Sequence, residues 1–171
     1  YLNAAVNKIY NSFVKTILTS LKNKNIDVPI YVLKADGGII SLNESVDKPV
    51  ETILSGTAAS LMGFLGQFEM TGDGVLLDIG GTTTDIFIIA NGEPLFEPLG
   101  IEIANHKTLI RSVYSKSIGL GGDSSINIIN NQLQIGPKRE GKPFCLNGPK
   151  PTLTDIFVYK RDLKIGSFDK A

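Results

Sequence analysis

Two apolar runs, Val75-Leu76-Leu77 and Ile86-Phe87-Ile88-Ile89, flank the octapeptide Asp78-Ile79-Gly80-Gly81-Thr82-Thr83-Thr84-Asp85. Paired glycines adopt backbone angles that other residues resist, so the chain turns back on itself there and the flanking runs become neighbouring strands. Asn91-Gly92 repeats the turn signal, and residues 94–96 supply a third strand. Three successive strands joined by tight turns form an antiparallel meander. Residues 112–118 read as a further strand leading into Gly119-Leu120-Gly121-Gly122-Asp123. Residues 126–129 and 133–135, on either side of Asn130-Asn131-Gln132, read as a second hairpin.

Helices surround these strands. Val6, Ile9, Tyr10, Phe13, Ile17, Leu18 and Leu21 recur at threes and fours, which predicts an amphipathic helix over residues 3–24. Residues 30–33 read as a short buried strand, and Asp36-Gly37-Gly38 as a turn. Pro49 suits the first turn of a helix continuing over 50–68. Its small middle, Ser55-Gly56-Thr57-Ala58-Ala59-Ser60, lets another backbone approach or lets the helix restart at Ser55. Residues 136–150, rich in Gly, Pro and Lys, read as a long loop of a functional or mobile kind. Thr152 with Asp155 three residues on opens a last helix through Tyr159. The pattern is α/β, with an organisational divide near residue 70 into regions 1–70 and 71–171.

Seventeen basic against seventeen acidic residues leave no net charge, which argues against a general binder of nucleic acid or acidic lipid. A single cysteine, Cys145, makes no internal disulfide. No apolar run approaches the ~20 residues of a membrane span. The sequence begins at Tyr1, inside a helical pattern and without Met. The expectation is a fragment of a longer, soluble, cytoplasmic protein, and one that alone binds nucleotide very weakly.

The octapeptide carries the chemistry. Successive backbone N–H groups at a glycine turn form an anion-binding concavity, and Thr82 and Thr83 add hydroxyl donors. Asp78 repels phosphate unless a cation lies between them, and Mg²⁺ is commonly held by one or two carboxylates plus phosphate oxygens. An ordinary hairpin whose Asp and Thr merely cap the turn is the alternative.

The octapeptide resembles the second phosphate-binding hairpin of the actin, sugar-kinase and heat-shock chaperone ATPases. The small-residue helix resembles that superfamily's first connecting helix, and residues 119–123 resemble the glycine turn after the chaperones' meander. Over nearly its whole length the sequence is similar to the large, hydantoinase A-like chains of the hydantoinase/oxoprolinase family. The similar segments are Tyr1-Leu2-Asn3-Ala4-Ala5-Val6, Asp36-Gly37-Gly38, Leu54-Ser55-Gly56-Thr57-Ala58-Ala59 and the octapeptide. They continue with Ser117-Ile118-Gly119-Leu120-Gly121-Gly122-Asp123-Ser124, Ile135-Gly136-Pro137 and Pro151-Thr152-Leu153-Thr154-Asp155.

The resemblance implies an actin-like (ribonuclease H-like) ATPase lobe, with the meander in a mixed sheet packed with helices. It implies ATP and Mg²⁺ as cofactors and ATP-dependent opening of a cyclic amide such as hydantoin or 5-oxoproline. Asp78 and Thr83 would be catalytic, with Asp78 on the metal; Gly80, Gly81, Thr82, Thr83, Gly121 and Gly122 would hold the nucleotide. An oligomeric full-length protein with a hydantoinase B-like second subunit is also implied. ATP-using subunits of acetone carboxylases, sugar or small-molecule kinases and ATP-responsive assembly modules remain alternatives. The sequence departs from the family's usual residues at Thr57 (Pro), Lys116 (His), Leu120 (a small residue) and Asp123 (Gly).

Other candidates are weaker. His106 lies in a polar stretch without a partner base and reads as solvated. Cys145 reads as a buried, inert thiol. Lys138, Arg139 and Lys142 read as a solvated loop face that could alternatively meet an anion. Asp36 either caps its turn or joins a site, and Asp85 orients the octapeptide through backbone N–H groups.

Overall fold

The computed structural model describes residues 1–103 and 105–166. Helix α1 (Leu2–Asn23) is followed by strands β1 (Tyr31–Leu33) and β2 (Ile39–Ser41), α2 (Leu42–Asp47), a 3-10 turn (Pro49–Thr52) and α3 (Ser55–Leu65). Then come β3 (Gly74–Ile79), β4 (Thr84–Ala90), β5 (Glu93–Pro94), β6 (Phe96–Glu97), β7 (Glu102–Ile103), β8 (His106–Lys107), β9 (Ser112–Val113) and β10 (Ser115–Ile118). Strands β11 (Ser124–Ile129) and β12 (Gln132–Arg139), a 3-10 turn (Phe144–Leu146) and α4 (Leu153–Arg161) complete the order. The architecture is mixed α/β with antiparallel pairings.

The chain forms two compact units, Tyr1–Gly74 with Phe87–Tyr114, and Val75–Ile86 with Ser115–Ala171. The first unit is discontinuous in sequence, since residues 87–114 return to it. In that unit α1 is anchored by the Tyr10 hydroxyl donating to Ser45 Oγ at 2.7 Å and by Val50 N–H donating to Asn3 Oδ1 at 3.1 Å. Strand β1 pairs antiparallel with β2, and the Ser41 side chain and Glu44 carboxylate form a capping box that starts α2. The expected continuous helix over 50–68 is interrupted. Leu54 sits at φ +65°, a left-handed conformation costly for a leucine, and α3 starts afresh at Ser55. Within α3 Ala58 and Leu61 are buried, but a Cβ added at Gly56 or Gly63 would meet open space among the described residues. The expected close approach of another backbone is absent at those two positions.

Strand β4 alternates as a half-covered strand should, with Phe87 and Ile89 in the core. It lies between β10 and β3, while β5 pairs only with its last two residues, Ile89 and Ala90. The expected third meander strand is split: Glu93–Pro94 pairs with β4, whereas Phe96–Glu97 pairs with β9. The strand expected over 112–118 breaks likewise, at Tyr114, into β9 and β10.

The second hairpin is longer than its sequence signal. Strand β12 runs on to Arg139, and its register opposite β11 pairs Ser124 with Arg139. The loop expected over 136–150 thus begins as strand and also contains a 3-10 turn. Asp155 fixes that segment to α4. Its buried carboxylate accepts from Phe144 N–H (2.9 Å), Cys145 N–H (2.7 Å), Thr152 N–H (2.7 Å) and the Thr152 hydroxyl (2.9 Å). Burial pushes its pKa up, but these donors, led by the Cys145 amide, favour the charged form and hold it below the usual value.

Asp155→Ala strands the buried amides of Cys145 and Thr152 and the part-buried amide of Phe144, and should cost about 3 kcal/mol in urea unfolding at pH 7. Because the folded pKa is depressed, this contribution is complete above the unfolded value near ~3.9 and disappears as pH falls through the folded one. The gap between wild type and variant should therefore shrink on acidification below that value.

Candidate functional site: an outward-facing amide pair on a glycine bend

Strand β3 ends with residues 74, 76 and 78 half-buried and 75, 77 and 79 exposed, so Asp78 lies on the partly covered face. The bend that follows, residues 80–83, is exposed throughout. It is closed by Gly80 N–H donating to Thr83 O at 2.9 Å.

Its carbonyls are held by the glycine loop 119–123. Gly122 N–H donates to Gly80 O at 2.9 Å, and Asp123 N–H donates to Gly81 O at 2.7 Å. In a trans peptide the C=O of one residue and the N–H of the next point in opposite directions. Anchoring the carbonyls of Gly80 and Gly81 therefore turns the N–H groups of Gly81 and Thr82 away from the loop. Two consecutive outward-turned amides on an exposed glycine bend, followed by two threonines, are donors of the kind that suit an anion.

The loop that sets this geometry is itself fixed. Thr84 donates its hydroxyl to Leu120 O at 2.6 Å, and Gly121 N–H donates to Ser124 Oγ at 2.9 Å. Both the backbone N–H and the hydroxyl of Thr154, in the first turn of α4, donate to Gly122 O, at 2.8 and 2.9 Å. Gly121 is buried against the bend: a Cβ there would stand 2.6 Å from Gly81 C and O and 2.7 Å from Gly80 O. Only glycine permits that contact. Gly122 thus braces a bend carbonyl together with Asp123, and Gly121 lets the loop come close enough for both bonds.

The hydantoinase/oxoprolinase family model matches residues 1–168. The chain belongs to the hydantoinase/oxoprolinase family. An uncharacterized protein of Methanocaldococcus jannaschii is 27% identical over 173 residues, covering 90% of this chain and 25% of that relative. A nucleotide-free structure of acetone carboxylase, described as carrying out ATP-dependent acetone carboxylation, matches with a TM-score of 0.73 and 23% identity. The match covers 88% of this chain and 22% of that one. The chain therefore spans about a quarter of the length of these relatives, and the second likeness establishes a shared fold.

Asp78, the bend and the glycine loop all fall in the second unit. Asp123 places its Oδ2 3.0 Å from the point a Gly81 Cβ would occupy. It is not a bare charge there, because Arg139 Nη2 pairs with that oxygen at 2.7 Å. Arg139, read from sequence as part of a solvated loop face, is thus committed to the site's edge; no local motif announced it, since the pairing comes from the β11–β12 register. Lys138 instead pairs with Glu140 at 3.6 Å, and Lys142 is exposed. Lys116, on β10, is exposed, and Asp85 is half-buried at the start of β4.

The donor set fits a magnesium-bound polyphosphate: amides and hydroxyls for phosphate oxygens, and the Asp78 carboxylate for a hard cation. Three other candidates have surroundings of their own. Asp36 belongs to the first unit and caps its own turn, accepting from Gly38 N–H at 3.0 Å and pairing with Lys34 at 3.3 Å. Burial raises its pKa, but the Gly38 amide and Lys34 outweigh this and hold it below the usual range. His106 is exposed on β8. Cys145 is buried, and both that burial and the neighbouring Asp155 carboxylate push its thiol pKa up, which suppresses the nucleophilic thiolate.

Proposed function

We propose that the full-length protein spends Mg-ATP to open a cyclic amide of the hydantoin or 5-oxoproline type. In this reading the 80–83 bend grips the terminal phosphates. The observation that carries it is the outward turn of the Gly81 and Thr82 amides, imposed by the two bonds from Gly122 and Asp123. Membership of the hydantoinase/oxoprolinase family supports the cyclic-amide chemistry, and in this reading the bend belongs to an actin-like ATPase lobe.

Asp78 would hold Mg²⁺, which when bound neutralises phosphate charge. The Gly81 and Thr82 amides and the Thr82 and Thr83 hydroxyls would donate to phosphate oxygens as negative charge redistributes during transfer. The γ-phosphoryl group passes from ATP to the amide oxygen, leaving ADP. One water would then add to the activated carbon and the ring C–N bond would break, the amine taking the proton, to leave an acyl phosphate that a second water would hydrolyse to carboxylate and free phosphate. Preformed amides suit this role because they need no reorganisation at the moment of transfer.

An oligomer of full-length chains with a hydantoinase B-like partner completes the proposal. The fold shared with acetone carboxylase supports a second reading, an ATP-using carboxylase component. The deciding assay follows ADP and phosphate release by the full-length protein with Mg-ATP, with and without hydantoin or 5-oxoproline. Ring opening stoichiometric with phosphate is expected. Phosphate release that requires a ketone and bicarbonate instead would replace this reading with the carboxylase one, and a stable phosphorylated product would identify a kinase.

A further inference from the structure

Asp123 and Arg139 are sixteen positions apart in sequence yet joined at 2.7 Å, through a hairpin register that sets Arg139 opposite Ser124. The Asp123 side chain is 15% exposed and the Arg139 side chain 49%. The acid is therefore largely enclosed, while half of its partner remains in water. The same Asp123 oxygen that takes the guanidinium lies against Gly81, whose N–H is one of the two outward-turned amides.

A partly enclosed carboxylate at the rim of an anion-binding bend works against the bend. It lowers the local potential where phosphate must arrive, and the low local dielectric strengthens that repulsion. A guanidinium keeps its charge at every physiological pH and offers five N–H donors, so one pairing with Asp123 leaves others free. Glycine at position 123 would need no such partner; aspartate does.

We propose that Arg139 sets the charge of the phosphate bend, cancelling Asp123 so that the Gly81–Thr82 amides accept a polyphosphate. It is a specificity-determining residue acting through Asp123. This rests on the phosphate-binding reading above and goes beyond it, because the pair is not part of the glycine–threonine hairpin.

The test measures dissociation constants of the full-length protein for Mg-ATP and, without metal, for inorganic tripolyphosphate. Arg139→Gln leaves the largely enclosed Asp123 carboxylate uncompensated beside the bend and should weaken both by about tenfold. Removing the acid as well, in Asp123→Gly with Arg139→Gln, should bring both constants back to within about threefold of wild type. Asp123→Asn, which keeps a hydrogen-bond acceptor for Arg139 while deleting the negative charge, should tighten tripolyphosphate binding several-fold.

Thermal unfolding of each variant separates binding loss from misfolding. The Asn variant carries the test if the Gln variant is unstable. Unchanged affinity in Arg139→Gln would overturn the proposal. So would a double variant as weak as the single one, since a purely structural role for Arg139 gives no rescue. A wild-type protein that binds neither ligand would instead refute the phosphate-binding reading itself.

Discussion

Asp78→Asn in the full-length protein should lower Mg-ATP turnover by about two orders of magnitude or more, the scale seen when one electrostatic contact to a transition state is lost. The melting temperature should hardly move. Asp78 is the penultimate residue of β3, just before the bend, and among the described residues no lysine or arginine pairs with it. Neutralising it therefore removes no ion pair of the fold. Asparagine keeps the side-chain shape while losing the charge a hard cation needs, so the loss should be steepest at limiting magnesium and partly relieved by excess metal. A variant with wild-type turnover across a magnesium titration would remove Asp78 from the metal site.

Gly121→Ala should be more damaging than its single methyl suggests. That methyl would sit 2.6 Å from the carbonyl carbon and oxygen of Gly81, and both are backbone atoms with no rotamer to escape into. The bend and the glycine loop must separate, which stretches the bonds from Gly122 and Asp123 to the carbonyls of Gly80 and Gly81. Overpacking plus two weakened hydrogen bonds should cost about 2–4 kcal/mol. The Gly81 and Thr82 amides should also lose their fixed outward orientation, and with it tripolyphosphate binding.

Gly122→Ala is the informative control. The new methyl there meets the Thr154 hydroxyl at 2.6 Å, a side-chain atom that can rotate, while Gly80 O is 3.9 Å away. Its penalty should be smaller, and binding should survive. Chemical denaturation and calorimetric titration of the two variants read both effects; equal behaviour would show that the brace through Gly121 does not set the bend.

These contrasts mark what the sequence could and could not announce. The bend was legible because two glycines and three threonines between apolar runs leave few other structures. Helix α4 was legible because Thr152 and Asp155 form a capping box at the standard spacing. The equivalent signal at Ser41 and Glu44 went unread, and with it β2 and α2, because it opens a helix of only six residues with no room for apolar periodicity. The ladders β6–β9 and β7–β8 pair only two residues each, too few for any alternation to register. Strand β12 was shortened in expectation by Gly136-Pro137, a pair that usually marks a turn, yet the strand passes through it to Arg139. The most consequential contact at the site depends on that continuation. Arg139 looked like one cation in a solvated loop, and only the hairpin register brings it to Asp123. Asp123 alone had looked like an obstacle to phosphate; its partner changes its meaning.

The central claim is that anchoring two carbonyls leaves the Gly81 and Thr82 amides to hold a phosphate group. A crystal structure of the full-length protein with Mg²⁺ and a non-hydrolysable ATP analogue tests it most directly. The account predicts terminal phosphate oxygens within hydrogen-bonding distance of both amides, with Asp78 on the metal side. A nucleotide bound elsewhere, with those two N–H groups still facing solvent, would contradict it.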